Sequence, residues 1–299
     1  MASPKQQTMR MYKHQRTQIT VLFLIPVFAF LGVFIFYSIY NSFHISLYKW
    51  SGVGNMTNSV ELDNWAKLIK DATFFKALKN NLILVAISVF VELPFGLALA
   101  YFLDVGGKKM NFFKVCWFFP LLMSSVAIGT LFFFILDSSF GPIAGFLEIF
   151  GMKMPTLLGN TSTALLTVAA VIVWQFVPFY MVYYLAGLNS IPEELYEASV
   201  IDGATRAQYF FKCALPMLAP TIRNAVVMQL IGSLKYFDLI YVMTGGGPSG
   251  STELMATYMY KKTFPEMQMS YGATVASAMF IIITTLALLT IKALNKKEN

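Results

Sequence analysis

The sequence predicts an all-α, polytopic membrane protein with six membrane-spanning helices. Three observations carry that expectation. Of the 299 residues, 57% are hydrophobic and only 12% charged, about half the charged share of a soluble domain. The mean hydropathy is +0.62. Several runs also exceed the ~18–20 apolar residues that cross a bilayer. A soluble chain of this length needs a charged coat that these residues cannot supply.

Residues 1–18 form a polar tail, and residues 19–299 read as one six-span unit. The runs lie at 19–42, 80–103, 112–136, 163–188, 217–243 and 270–293. In lipid each backbone polar group must be satisfied within its own segment, so apolar runs of this length are helices. Pro26, Pro94, Pro120 and Pro178 fall inside them and are expected as kinks. The first run, from Ile19 to Tyr40, is longer than the ~7–15 residues of a signal-peptide core and lacks a small-residue cleavage site. It reads as a retained span. Between the first two runs, residues 61–81 read as an amphipathic helix lying on the membrane, with Trp65, Leu68 and Ile69 on one face. Neither a soluble domain nor an internal repeat is apparent.

The net charge of +7 does not point to nucleic acid, because the Lys and Arg residues are scattered between apolar runs instead of forming a stripe. Their bias places both termini on the cytoplasmic side. Lys5, Arg10, Lys13 and Arg16, the dense turn of Lys108, Lys109 and Lys114, then Arg206 and Lys212, and finally Lys292, Lys296 and Lys297 share that side. Cys116 and Cys213, with His14 and His44, give no metal-ligand spacing. No nucleophile–base pair or pair of acids is visible, so the chain is not expected to be an enzyme. It lacks the G-x-x-x-x-G-K-[ST] phosphate loop, and the run Gly106, Gly107, Lys108, Lys109 is a basic turn.

One polar island, 189–216, stands out against this background. Ser190 is expected to cap a helix that Pro192, Glu193 and Glu194 open. That helix should run to about Ile201 and stop at Asp202 and Gly203. Thr205 and Gln208 then form a capping box for a second helix, which leads to Leu215 and Pro216. A bundle connection needs only a few residues. An elbow of two capped helices points to a docking partner.

The island resembles a known family. Glu197, Ala198 and Ser199, then Gly203, then Leu215 and Pro216 follow the pattern E-A-A-x3-G-x9-I-x-L-P, with Ser199 in place of Ala and Cys213 in place of Ile. This is the EAA signature of permease subunits in binding-protein-dependent ABC importers. WQFVP (174–178) and YFDLIYVMTGGGP (236–248) resemble the carbohydrate-uptake branch, in particular its maltose-type "F" subunit. The resemblance implies a type I ABC importer permease fold in the cell membrane. It implies that Glu197, Ala198, Ser199, Asp202, Gly203, Leu215 and Pro216 couple the chain to an ATPase. It further implies a second permease, two ATPase subunits that use ATP and Mg, and an extracytoplasmic solute-binding protein docking on the outer loops. The chain itself would bind no cofactor or metal.

Intramembrane polar groups point to the solute path. Gln229, Gly232, Ser233 and Tyr236 recur at i, i+3, i+4 and i+7. They offer an amide, bare backbone, a hydroxyl and a phenol to a polyhydroxylated solute. Helix–helix packing is the competing use of Gly232 and Ser233. The resemblance places the sugar-lining face on the same positions, and adds Leu121 and Ser125 of the third span and Ile172 and Phe176 of the fourth. Glu92 reads as a buried hydrogen-bond anchor, and Lys235 and Asp238 are close enough in sequence to neutralise one another. An ion-coupled secondary transporter, the alternative function, needs paired midplane acids and broken helices in matched halves. One Glu and one Lys–Asp pair fall short of that.

Overall fold

The computed structural model describes residues 20–295, so the tail at 1–18 lies outside the described residues. Among the described residues the regular elements are helices, and thirteen of them organise the fold. They are α1 (Thr20–Ser46), α2 (Asp63–Ile69), α3 (Ala72–Gly106), α4 (Asn111–Leu122), α5 (Ser125–Ile135), α6 (Pro142–Ile149) and α7 (Ala164–Leu188). There follow α8 (Glu193–Ile201), α9 (Arg206–Tyr209), α10 (Ala219–Leu234), α11 (Asp238–Met243), α12 (Met255–Thr263) and α13 (Met269–Asn295). Five helices are long and apolar enough to cross a membrane when α10 and α11 count together. The bent pair α4 and α5 makes six.

Two predicted spans are broken. The third is not a helix kinked at Pro120 but two helices meeting at 95°, with Met123 extended between them (ψ 146°). The fifth stops at Leu234 and restarts at Asp238. Span two begins earlier than its apolar run, because the Asp71 carboxylate accepts hydrogen bonds from the N–H groups of Thr73 and Phe74 at 2.9 and 3.2 Å. That N-cap starts the helix at Ala72 despite the polar residues that follow.

The segment 61–81 is likewise not one interfacial helix. Residues 70–71 divide it, Ile69 is exposed, and Leu68 is buried against Phe74 and Tyr271. Leu68 packs into protein, so α2 belongs to a cap over the end of the bundle opposite the 189–216 elbow.

In lipid, apolar side chains gain little by leaving the solvent for a neighbouring helix, so packing rests on close approach and interhelical hydrogen bonds. Both occur here. A Cβ at Gly96 would lie 2.9 Å from the Tyr180 Cβ and 3.2 Å from the Met181 nitrogen, which brings α3 against α7. Around this contact Leu93, Ala100, Leu103, Met181, Tyr184 and Leu188 form a cluster that extends to Phe210, Ala214 and Leu218 at the elbow. A second cluster, including Ile128, Val168, Ile172, Leu239 and Ile240, joins α5, α7 and α11.

The end of the bundle away from the elbow is tied by side chains over long sequence distances. Asp71 accepts from the hydroxyls of Tyr258 and Tyr271. Asn80 donates to the carbonyls of Ser251 and Glu253 at 3.1 and 2.9 Å. Glu253 pairs with Lys261 and accepts from Thr257. The glycine-rich segment 244–254 is thereby folded inward, with Thr252 and Leu254 fully buried.

Candidate functional site

Two regions carry the polar chemistry, and the elbow is the first. α8 begins after Pro192, which is extended (ψ 133°), with Glu193 and Glu194 in its first turn. Ser190 does not cap it. Its hydroxyl instead donates to the Gly187 carbonyl at 2.7 Å, closing the end of α7. At the other end, Gly203 N–H reaches the Val200 carbonyl at 3.0 Å and Ala204 N–H the Ser199 carbonyl at 2.9 Å. With Gly203 at φ +78°, this is a complete Schellman stop, which satisfies carbonyls the helix would otherwise leave open.

The Thr205–Gln208 capping box is formed in both directions, at 3.3 and 2.8 Å. From Tyr209 the chain continues through a π-turn at Phe210–Ala214 and through Leu215–Met217 into α10. The elbow is therefore mechanically continuous with span five.

No residue of α8 is buried. Glu197, Ala198, Asp202 and Gly203 are exposed, and Leu195, Val200 and Ile201 present apolar side chains to the outside. Ser199 is half-buried, its hydroxyl donating to the Tyr196 carbonyl at 2.7 Å. Leu215 is half-buried and Pro216 exposed at the start of α10. Behind α8 lies a cavity of about 360 Å³ whose walls include Tyr101, Asp104, Tyr196, Arg206 and Tyr209. Across it the Arg206 guanidinium donates to the Val105 carbonyl at 2.9 Å and stands 5.5 Å from the centre of the Tyr196 ring. A cation suits the carbonyl end of α3, so Arg206 ties elbow and span two together.

The second region surrounds the break in span five. Asn81 of α3 donates to the carbonyls of Ser233 and Leu234 at 3.1 and 3.3 Å and accepts from the Met255 N–H at 2.9 Å. One buried amide thus satisfies the carbonyls that the end of α10 sets free, which allows an open turn at membrane depth. Gln229 is buried, its amide nitrogen 3.0 Å from the Glu92 carboxylate and 3.4 Å from the Ser233 hydroxyl. Gly232 is exposed, and a Cβ there would meet nothing within 4 Å. Tyr236 is half-buried inside the break, its ring 5.7 Å from that of Phe176.

The break in span three faces the same stretch of α7. Ser125, the first residue of α5, accepts from the Gln175 amide at 3.3 Å. Leu121 is half-buried on the other side of that break, while Ile172 is packed among Ile128, Leu239 and Ile240. Lys235 and Asp238 are both exposed and form no ion pair with each other among the described residues.

The sequence reading passed over Asn80, Asn81 and Gln175, and used Arg206 only for its charge in orienting the chain. The adjacent amides at the mouth of an apolar run were the available signal, since intramembrane amides are costly unless used.

The family model described as "Binding-protein-dependent transport system inner membrane component" matches residues 92–298. A probable ABC transporter permease protein of Bacillus subtilis, YurN, is 34% identical over 283 residues, spanning 93% of this chain and 97% of that one. The multiple sugar-binding transport system permease protein MsmF of Streptococcus mutans is 31% identical over 276 residues, 92% and 95% of the two chains. In three dimensions the fold is similar to a chain of a bacterial ABC transporter involved in the import of the acidic polysaccharide alginate. The TM-score there is 0.82 at 21% identity, covering 96% of this chain and 99% of that one. Beside the stopped elbow and the two broken spans, these likenesses identify the chain as a member of the binding-protein-dependent transport system inner membrane component family, a non-catalytic permease subunit of an ABC importer.

Proposed function

We propose that this chain forms half of a translocation path for a sugar or oligosaccharide, with a second homologous permease supplying the other half. The solute arrives on an extracytoplasmic binding protein. Two ATPase subunits, using ATP and Mg, drive the cycle from the cytoplasmic side of the inner membrane, the side on which both termini lie.

The observation that carries this reading is the elbow. A nine-residue helix with no buried residue has no packing reason to be so firmly stopped. Exposed Leu195, Val200 and Ile201 beside Glu197 and Ala198 make a mixed surface suited to a groove on an ATPase, where Glu197 has a carboxylate to offer a basic side chain. Leu215 and Pro216 lie where the elbow joins span five, so force on α8 is delivered to α10. The sugar reading draws on the MsmF relative and on the chemistry around Gln229, Ser233 and Tyr236. Ser125 and Leu121 of span three border the same zone, with Phe176 and, one layer behind, Ile172 of α7.

Reconstitution of the full complex in proteoliposomes tests this. Uptake that requires ATP and the binding protein, and persists when ionophores collapse every ion gradient, is expected. Uptake that survives without ATP and stops with the ionophores would overturn the proposal in favour of an ion-coupled carrier.

A further inference from the structure

The short helix α6, between spans three and four, has no buried residue, yet it is firmly closed at both ends. Pro142 opens it. Past its last turn Gly151, at φ +69°, lets the Gly151 and Met152 N–H groups return to the Glu148 and Leu147 carbonyls at 2.9 and 3.0 Å.

Its place is the end of the bundle away from the elbow. The chain leaves α5 at Ile135 and folds back at the buried Gly141, where a Cβ would lie 2.7 and 2.8 Å from the Ile135 and Phe134 carbonyl oxygens. The Asp137 carboxylate holds this turn, accepting from the Ser139 and Phe140 N–H groups at 2.8 and 3.1 Å. Beside it the Ser138 hydroxyl meets that of Thr156 at 3.5 Å. The segment beyond Thr156 leads into α7, with Leu158 packed on the cluster that contains Met243 and Leu254. α6 therefore hangs between the outer ends of two spans, at the level where both leave the apolar layer.

At about 100° per residue, its side chains sort into three sectors. Ala144 and Leu147 are half-buried and face the bundle. Gly145 and Glu148 are exposed on a second sector. Ile143, Phe146, Ile149 and Phe150 fill the side away from Glu148, and all four are exposed, Phe146 at 61% and Ile149 at 79%. A helix lying on a bilayer beside a bundle meets protein on one flank, water above and hydrocarbon below. α6 has one sector for each.

The apolar sector also continues the exterior of span three. Phe134 is exposed on α5, the ring of the exposed Phe140 lies 6.3 Å from it, and Phe146 and Phe150 pair at 5.2 Å. Between α5 and α7 only Asp137, Glu148 and Lys153 are charged, and Asp137 is engaged in the turn, so a polar partner surface finds little here to pair with. We propose that α6 is an interfacial anchor. Its Ile143, Phe146, Ile149 and Phe150 side inserts into the lipid leaflet remote from the elbow and holds the outer end of the broken span three at the bilayer surface. Residues 61–81, expected in that role, pack into protein instead. The anchor requires a bilayer around the bundle and is independent of the sugar path.

The test places a nitroxide on single cysteines in the assembled complex, in proteoliposomes of phosphatidylethanolamine and phosphatidylglycerol, after Cys116→Ala and Cys213→Ala. Phe146→Cys and Phe150→Cys report the apolar sector. Gly145→Cys and Glu148→Cys report the water-facing one, and a Cβ at Gly145 meets nothing within 4 Å. Power saturation reads collisions with oxygen, which concentrates in hydrocarbon, and with a neutral nickel chelate, which stays in water. The oxygen-to-nickel ratio should be severalfold higher for labels at Phe146 and Phe150 than for those at Gly145 and Glu148, at a depth of about 5–10 Å in the headgroup and acyl boundary. If a label at Phe146 or Phe150 prevents assembly, Ile143→Cys and Ile149→Cys read the same sector. Low collision rates with both reagents on the apolar sector would show that protein covers it, a second permease or the binding protein, and would overturn the inference. Nickel access equal in both sectors would overturn it as well, because the helix would then stand in water.

Discussion

Replacing Gly203 tests the elbow most directly, because the effect can be worked from backbone geometry alone. Gly203 has φ +78°, and a Cβ placed there would meet no atom within 4 Å. A substitution therefore adds no clash, and the whole cost is the left-handed conformation, roughly 1–2 kcal/mol for an L-residue and more when it is β-branched. What holds the stop in place is of the same size. The two Schellman bonds from Gly203 and Ala204 contribute about 1 kcal/mol each. Gly203→Ala should therefore bring the stopped and unstopped elbow near parity, and Gly203→Val should leave the stopped form a minority. Docking that requires the stopped form weakens by that fraction. Because Gly203 is exposed and α8 contributes nothing to the core, the thermal midpoint of the bundle should not move. Gly203→Asn, which tolerates the left-handed region, should retain near-normal behaviour. The assays are co-purification of the ATPase and solute moved per ATP hydrolysed, expected in the order Gly, Asn, Ala, Val. Full ATPase recovery and normal uptake with Val would refute the reasoning.

Two further predictions concern the far end of the bundle. Burial works to raise the Asp71 carboxyl, but hydrogen bonds from Tyr258, Tyr271 and the N–H groups of Phe74 and Thr73 outweigh it and hold it below the usual aspartate range. A depressed folded-state pKa contributes stability that is present above the unfolded value and lost as pH falls through the folded one. The thermal midpoint should therefore hold from pH 8 to about pH 5 and drop below about pH 4, and Asp71→Asn should flatten that drop. A midpoint in the Asn variant that follows the same acid profile would count against it. Asn81→Leu strands the carbonyls of Ser233 and Leu234 and the Met255 N–H, at about 1–3 kcal/mol for each group left unpaired. The purified chain should lose about 3 kcal/mol or more of stability, measured by denaturant unfolding in detergent, and a loss under 1 kcal/mol would mean water fills the gap.

How much of this was legible in the sequence depends on how far apart the responsible residues lie. The elbow was readable almost residue by residue because its rules act over three or four positions: Pro192 and two acids open a helix, Gly203 stops it, Thr205 and Gln208 box the next. Only Ser190 was misassigned, its hydroxyl taken by the turn behind it. Span positions followed from apolar runs for the same local reason. The breaks were not legible. Pro120 marked a kink, but the turn comes three residues later at Met123, where the backbone is extended. The break after Leu234 is permitted by Asn81, 152 and 153 residues away from the carbonyls it satisfies. Likewise the start of α3 depends on an Asp71 cap that Tyr258 and Tyr271 hold from the other end of the chain. A hydropathy window cannot see such partners.

The break in span five also means that the four positions expected on one face do not share one helix. A face counted at i, i+3, i+4 and i+7 assumes one helix, and the helix ends between Ser233 and Tyr236. Gln229 and Ser233 therefore turn inward to Glu92, while Gly232 and Tyr236 border open space and the break. Span three bends at the same depth of the fold, since Ser125 meets Gln175 and Tyr236 meets Phe176, adjacent residues of the unbroken α7. Irregular backbone at membrane depth persists only where it is enclosed by protein or lines a cavity. Here two such turns meet on one stretch of the unbroken α7, and its side chains contact both of them. The residues at those turns expose backbone and short polar side chains, and α7 gives them a fixed wall. The elbow joins α10, one of the two broken spans, directly through Leu215 and Pro216, so under the proposed coupling a push on α8 would reach the break at Leu234 within the length of a single helix.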